Sequence, residues 1–282
     1  MINFCGVEFK NPIVTASGTY SFKESSLYYD PSVLGCITTK SVSIEPWPGN
    51  EAPKIAETYG GMLNSIGLSN PGLENYIENE LKQLKKAGAT VRASAVGRTA
   101  EEYVAVAEGL SGTDIDLIEL NISCPNVKQG GQSFGTDPDV VRELVGDVKK
   151  VSGNKPVIVK LTPNVTDITV IARAAADGGA DGLSLINTLK GMRIDIKTKK
   201  PVMTTGNGGL SGPAIHPVAV YLVWLVRQAV DLAIIGMGGV MNGEDAYELM
   251  LAGADAVAVG TAALIDPTAP IRILAELEEL TG

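Results

Sequence analysis

The residue types best suited to chemistry gather in one stretch, Leu117–Gly131, which reads Leu-Ile-Glu-Leu-Asn-Ile-Ser-Cys-Pro-Asn-Val-Lys-Gln-Gly-Gly. Its first five residues have the make-up of a short buried strand. The chain then breaks into a loop holding Asn121, Ser123, Cys124 and Asn126, one ionisable thiol among amide and hydroxyl groups able to orient a polar ring. Burial as a small apolar residue is the usual fate of a cysteine, so what lies near Cys124 decides its meaning. Lys40 and Lys160 each stand near the end of an apolar run, and charged groups are seldom buried without a partner. Gly236-Met237-Gly238-Gly239 and Gly260-Thr261 allow close backbone approach, which suits a phosphate at a helix start.

Composition narrows the chemistry. The 282 residues are 45% hydrophobic, enough for a large core, and carry a net charge of −9 with a pI near 4.8. That balance argues against nucleic acid or anionic membrane as partners, so any anionic ligand must be held by a few local positive groups. Cys5, Cys36 and Cys124 lie far apart without a C-x-x-C pair, and His216 is the single histidine. Metal sites, iron–sulfur clusters and a Ser-His-Asp triad are therefore poorly supplied, and no metal is expected. No run of about 18 apolar residues and no signal peptide is present, so a cytoplasmic location is the expectation. The nearest approach to a dinucleotide fingerprint, Gly206-Asn-Gly-Gly-Leu-Ser-Gly212, misses the G-x-G-x-x-G spacing.

The elements that must position these residues alternate regularly. Asn3–Lys10 reads as a terminal hairpin. Apolar, β-branched runs then recur at Ile13–Ala16, Cys36–Thr39, Val91–Ala95, Leu117–Asn121, Val157–Leu161, Gly182–Leu185, Leu232–Ile235 and Ala256–Val259. Amphipathic stretches lie between them: Leu73–Ala87, Ala100–Leu110, Pro138–Val151, Asp167–Asp177, Pro217–Ala229, Gly243–Ala252 and Pro267–Leu280. A first helix near Ser25–Asp30 is the weakest of the set. Thr99, Asp137, Thr166 and Asn242 are expected N-caps, and Gly88 and Gly253 are expected helix stops.

Eight strands alternating with helices predict an α/β fold, a (β/α)8 TIM barrel forming a single domain over residues 1–282, with an N-terminal hairpin and long βα insertions at Val42–Gly72 and Lys190–His216. An open doubly wound sheet is the alternative. Connections of that length are usually functional. In a barrel the active site lies at the C-terminal ends of the strands, where polar and glycine residues do gather: Ala16-Ser17-Gly18, Thr39-Lys40-Ser41, the Cys124 loop, Lys160, Asn187-Thr188, Gly236–Gly239 and Gly260-Thr261.

Several motifs in chain order resemble the dihydroorotate dehydrogenases: Thr-Lys-Ser at 39–41, Gly-Met-Leu-Asn-Ser-Ile-Gly-Leu-Ser-Asn-Pro-Gly at 61–72, Asn-Ile-Ser-Cys-Pro-Asn at 121–126, Ile-Asn-Thr at 186–188 and Gly-Gly-Leu-Ser-Gly-Pro-Ala at 208–214. The match spans nearly the whole chain. Cys at the base position resembles class 1, and Asn187–Asp195 looks like class 1B, whose catalytic subunit works with an electron-transfer subunit.

The resemblance implies an FMN enzyme that oxidises dihydroorotate to orotate in pyrimidine synthesis. Carried over by position, Cys124 is the base that removes a proton from C5 while a hydride leaves C6 for N5 of the flavin. A thiol suits that step, since its unperturbed pKa of about 8.5 leaves it partly ionised near neutral pH. The resemblance assigns the substrate to Lys40, Asn64, Ser65, Ile66, Gly67, Leu68, Asn121, Asn126, Asn187 and Thr188. It assigns FMN to Ser17, Lys40, Ser41, Ser94, Asn121, Lys160, Ile186, Gly212, Gly238, Gly239, Gly260 and Thr261, with the glycine pairs taking the phosphate. FAD and an iron–sulfur cluster are expected only on a partner subunit, in a heterotetramer built on a homodimer.

Where this family often has an asparagine facing the flavin, the chain has Ser94, whose shorter hydroxyl puts one flavin hydrogen bond in question. Cys36 and Cys5 read as core or hairpin residues, and His216 as a surface or capping residue. Trp47 and Trp224 fit either a subunit contact or ordinary packing. The segment Gln129–Thr136 is a candidate lid. Three alternatives stay open: the same barrel acting on another dihydropyrimidine, a class 1A-like enzyme using fumarate, and a non-catalytic barrel.

Overall fold

The computed structural model describes residues 1–122, 128, 129 and 132–282. Cys124 and Asn126 lie outside the described residues. Eight parallel strands follow the expected runs closely: β1 (Ile13–Thr15), β2 (Ile37–Thr38), β3 (Val91–Ala95), β4 (Leu117–Asn121), β5 (Val157–Lys160), β6 (Gly182–Leu185), β7 (Ala233–Met237) and β8 (Ala256–Val259). The seventh extends past its expected end through Gly236 and Met237, because its residues pair with both β6 and β8.

Sheet order runs β1-β8-β7-β6-β5-β4-β3-β2. A parallel bridge between Val14 and Cys36, with Thr15 N–H donating to the Cys36 carbonyl at 3.2 Å, joins the two ends. This closure makes a barrel and excludes the open doubly wound sheet. Helices α1 (Ala100–Ser111), α2 (Pro138–Val151), α3 (Ile168–Asp177), α4 (His216–Ala229), α5 (Gly243–Leu251) and α6 (Ala269–Thr281) follow strands three to eight. Leu73–Tyr76 and Lys82–Lys86 are α-helical, with a π-helical stretch, Ile77–Leu81, between them.

Three expected caps are as read: Thr99, Asp137 and Asn242 accept from backbone N–H groups of α1, α2 and α5. The fourth is corrected, since Asp167 rather than Thr166 caps α3, its carboxylate accepting from Thr169 N. After β1 the expected helix at Ser25–Asp30 is replaced by a four-residue turn of helix, Phe22–Ser25, and a 3-10 turn, Pro31–Val33. Asp30 caps that 3-10 turn, and Pro31 begins it, so the sequence there favours two short turns over one helix.

The hairpin Ile2–Phe4 and Val7–Phe9 closes the N-terminal end of the barrel. Phe4 and Phe9, both fully buried and stacked at 5.2 Å, pack with Val14, Cys36, Leu117, Ile158, Ile235 and Ala256 from the strand starts. Burying each aromatic ring contributes about 1.5–3 kcal/mol. With that end filled, only the C-terminal rim is open. There the two long insertions meet in a four-stranded antiparallel sheet ordered Leu189–Gly191, Gly208–Ser211, Gly61–Asn64, Ile55–Thr58, with its own small core of Ala56, Leu63 and Met203. Among the described residues no helix is long and apolar enough to cross a membrane.

Candidate active site

A cavity of about 620 Å³ opens at the C-terminal rim, beneath the insertion sheet. Ser17, Lys40, Ser41, Asn121, Lys160, Ile186, Asn187 and Thr188 reach it from the strand ends, and Asn64, Ser65, Ile66, Gly67 and Leu68 from the first insertion. Gly212, Gly238, Gly239, Gly260 and Thr261 complete the side formed by the last strands. Eighteen residues separated by up to 244 positions in the chain thus share one space only because the barrel closes. Three lysines, Lys40, Lys160 and Lys190, line it, and no Asp or Glu does among the described residues, in a chain of net charge −9.

Local geometry fixes the polar groups. Asn187 Oδ1 accepts from Thr188 N at 2.7 Å, and Asn164 Nδ2 donates to the Thr188 carbonyl at 2.9 Å. Gly209 leaves room for this arrangement, since a Cβ there would stand 2.0 Å from Thr188 Oγ1. Ser17 Oγ donates to the Thr39 carbonyl at 2.8 Å, tying the end of β1 to that of β2. Lys40 lies against Gly18, where a Cβ would come within 3.2 Å of its side chain.

Beneath the cavity floor sits a buried ionic cluster. Arg92 on β3 and Glu119 on β4 are fully buried, with Nη2 to Oε2 at 3.4 Å, and Lys160 Nζ on β5 stands 4.0 Å from Glu119 Oε1. Ser184 Oγ donates to Glu119 at 2.9 Å. Burial drives the Glu119 carboxyl up, but Arg92, Lys160 and the Ser184 and Ser94 hydroxyls outweigh it and hold it below the ordinary carboxylate range. Burial, with Arg92 reinforcing it and Glu119 opposing, holds Lys160 below the ordinary ammonium range.

Ser94 does not line the cavity. It is fully buried, 2.8 Å from Ser41 Oγ, which in turn accepts from Asn121 Nδ2 at 3.1 Å. If the Ser94 proton goes to Glu119, the chain of bonds runs one way: Asn121 to Ser41 to Ser94 to the carboxylate. The short side chain at this position is thereby part of the floor that orients Ser41 and Asn121.

The glycines at the rim suit a bound phosphate. Gly212, Gly238 and Gly239 have φ of 100°, 132° and 72°, and a Cβ at Gly238 would meet Ala219 Cβ at 2.7 Å. Only glycine fits there, and the backbone is left bare toward the cavity. Cavity volume, cationic lining and glycine cradle together suit an anionic, phosphate-bearing small molecule.

The family model described as dihydroorotate dehydrogenase matches residues 1–281. The chain belongs to the dihydroorotate dehydrogenase family. It is 56% identical to the dihydroorotate dehydrogenase B (NAD(+)) catalytic subunit of Alkaliphilus metalliredigens, covering 97% of this chain and 90% of that one. Subunits of the same name from Alkaliphilus oremlandii and Geobacillus kaustophilus are each 53% identical, covering 99% and 98% of this chain and 92% and 88% of theirs.

Within this dihydroorotate dehydrogenase fold, the site includes residues beyond those the sequence motifs mark. Arg92 and Glu119 carry the same sequence signal as the lysines, a charge inside an apolar strand. Asn164, Thr162 and Lys190 also border the cavity, and nothing in their spacing marks them. His216 is corrected from a surface or capping residue to a buried one at the first position of α4, 8% exposed, because both ring nitrogens find partners. Cys36 is core and fully buried, and Trp47 is buried beneath the Arg98 guanidinium, 4.7 Å from its ring, while Trp224 is half exposed. Of the candidate lid 129–136, Phe134 is buried against Tyr103 and Thr136 lines the cavity, so its C-terminal end is anchored. Among the described residues no three His, Cys, Asp or Glu side chains gather as a metal site.

Proposed function

We propose that this chain is the FMN-binding catalytic subunit that oxidises dihydroorotate to orotate, with electrons passing to NAD through a partner subunit carrying FAD and an iron–sulfur cluster. The observation that carries the proposal is the cavity lining: among the described residues, three lysines, several amides and no carboxylate, in an acidic protein. Such a site favours an anionic ring bearing both donors and acceptors. Asn64, Asn121, Asn187 and Thr188 orient the pyrimidine through paired donors and acceptors. Lys40 offsets negative charge on substrate, and the backbone from Ser65 to Leu68 covers its edge. Cys124, three residues beyond the end of β4, takes the C5 proton, made acidic by the adjacent carbonyl. Gly212, Gly238, Gly239, Gly260 and Thr261 hold the phosphate of FMN, and Ser17, Ser41, Lys160 and Ile186 hold its ring. When bound, FMN supplies the acceptor for the hydride leaving C6. Asn126 joins the substrate amides, and the chain acts in the cytoplasm as a homodimer within a heterotetramer.

The test is anaerobic titration of the purified chain with dihydroorotate, followed by fumarate or NAD. A yellow protein that dihydroorotate bleaches and fumarate fails to reoxidise supports the reading, and NAD should reoxidise it only with the partner present. Dihydrouracil, which lacks the carboxylate, should bleach it at least ~100-fold more slowly, since one desolvated charge pair contributes about 3 kcal/mol. A colourless chain that takes up no FMN would overturn the proposal. The Cys124→Ala variant should slow bleaching by at least ~10²-fold, the lower range for loss of a positioned base.

A further inference from the structure

His216 stands at the first position of α4, with its two ring nitrogens engaged in opposite directions. Nδ1 is 2.8 Å from the carbonyl oxygen of Gly238, and Nε2 is 3.1 Å from Glu248 Oε2 on α5. Asp245 Oδ1, also on α5, lies 3.9 Å from Nε2. Both contacts are to acceptors. A neutral imidazole has one N–H and can satisfy only one of them, whereas the imidazolium donates to both. The Gly238 carbonyl and the Gly239 N–H belong to the same peptide unit, so a donor on that oxygen strengthens the N–H as a donor. Gly239 also packs against His216 so closely that a Cβ on it would meet His216 Cβ at 2.7 Å.

We infer that His216 is a positioning residue, which as an imidazolium paired with Glu248 clamps the Gly238–Gly239 peptide and adds a positive charge behind a loop that binds the phosphate of the flavin. The inference rests on the FMN reading above. The charged groups facing the ring are Glu248 and Asp245, both anionic partners for an imidazolium. The N-terminal end of α4 opposes it. Arg227, near the far end of the same helix, is engaged with Asp255 at 2.6 Å.

The dissociation constants of FMN and of riboflavin, which lacks the phosphate, are to be measured by flavin fluorescence quenching on the full chain stripped of flavin, from pH 6 to 9. His216→Asn keeps a donor near the Gly238 carbonyl and removes the charge. It should weaken FMN binding on the order of tenfold at pH 6, the scale of one partly screened charge. The gap to the wild type should close as pH rises, with riboflavin binding equal in both proteins throughout. Glu248→Gln, which removes the anion at Nε2, should narrow the preference for FMN over riboflavin at pH 6, and it keeps the inference testable if the histidine variant does not fold. Equal weakening of riboflavin and FMN, or a gap independent of pH, would reduce His216 to a packing residue and overturn the inference. Absence of FMN binding at every pH in the wild type would instead overturn the flavin reading and the clamp with it.

Discussion

Replacing Glu119 with Gln tests the buried cluster under the cavity. The substitution keeps shape and an acceptor for Ser184 Oγ but leaves Arg92 and Lys160 facing each other without an anion between them. Removing one partner of a buried ion pair costs about 3–5 kcal/mol, and the retained acceptor puts this case near ~3 kcal/mol. For a chain of this length that corresponds to a fall in Tm of about 5 °C, measured by circular dichroism or calorimetry at pH 7. The pH dependence has a definite sign. The carboxyl is held below its unfolded value, so its contribution is present above the unfolded range, near pH ~4.3, and is lost as pH falls through the lowered folded value. The wild-type advantage should therefore be full at neutral pH and shrink only in strong acid. Adding Lys160→Met to Glu119→Gln should recover part of the loss, because it removes a buried cation left without its counter-charge. A Tm at pH 7 unchanged within about 1 °C in the single variant would refute the account, as would a double variant with the summed loss of the two single ones.

Gly209→Ala would put a Cβ 2.0 Å from Thr188 Oγ1, and should raise KM for dihydroorotate about tenfold or more while costing about 1–3 kcal/mol of stability, read from steady-state kinetics and denaturant unfolding. Cys5 and Cys36 are both pushed up to about 12, by burial first in each case. In the Cys124→Ala background at pH 8 the folded protein should therefore leave a thiol-disulfide reagent unreacted, and both thiols should titrate in denaturant.

Much of the fold was legible because a parallel barrel strand is buried on both faces and reads as a continuous β-branched run, and because caps such as Thr99, Asp137 and Asn242 mark helix starts by local hydrogen bonding. The turns after β1 were harder, since a four-residue helix has too little periodicity to register. Lys40, Lys160 and the rim glycines could be found as charges or bare backbone at strand ends. Asn164 and Lys190 could not, because polar residues in loops are ordinary until a cavity gives them a direction.

By itself, then, the sequence determined the alternation of strands and helices, the rim on which Lys40, Lys160 and Gly238 stand, and the acidic balance that makes their local positive charge selective. It also placed Cys124 just beyond the fourth strand. Only the tertiary structure decided that the sheet closes between Val14 and Cys36, that Asn64 and Gly209 pair across two insertions to roof the cavity, that Arg92, Glu119 and Lys160 form one cluster, and that His216 reaches the Gly238 carbonyl. The reason is physical: periodicity and capping act over a few residues, whereas these contacts join positions tens to hundreds of residues apart and exist only once the barrel has closed around its core.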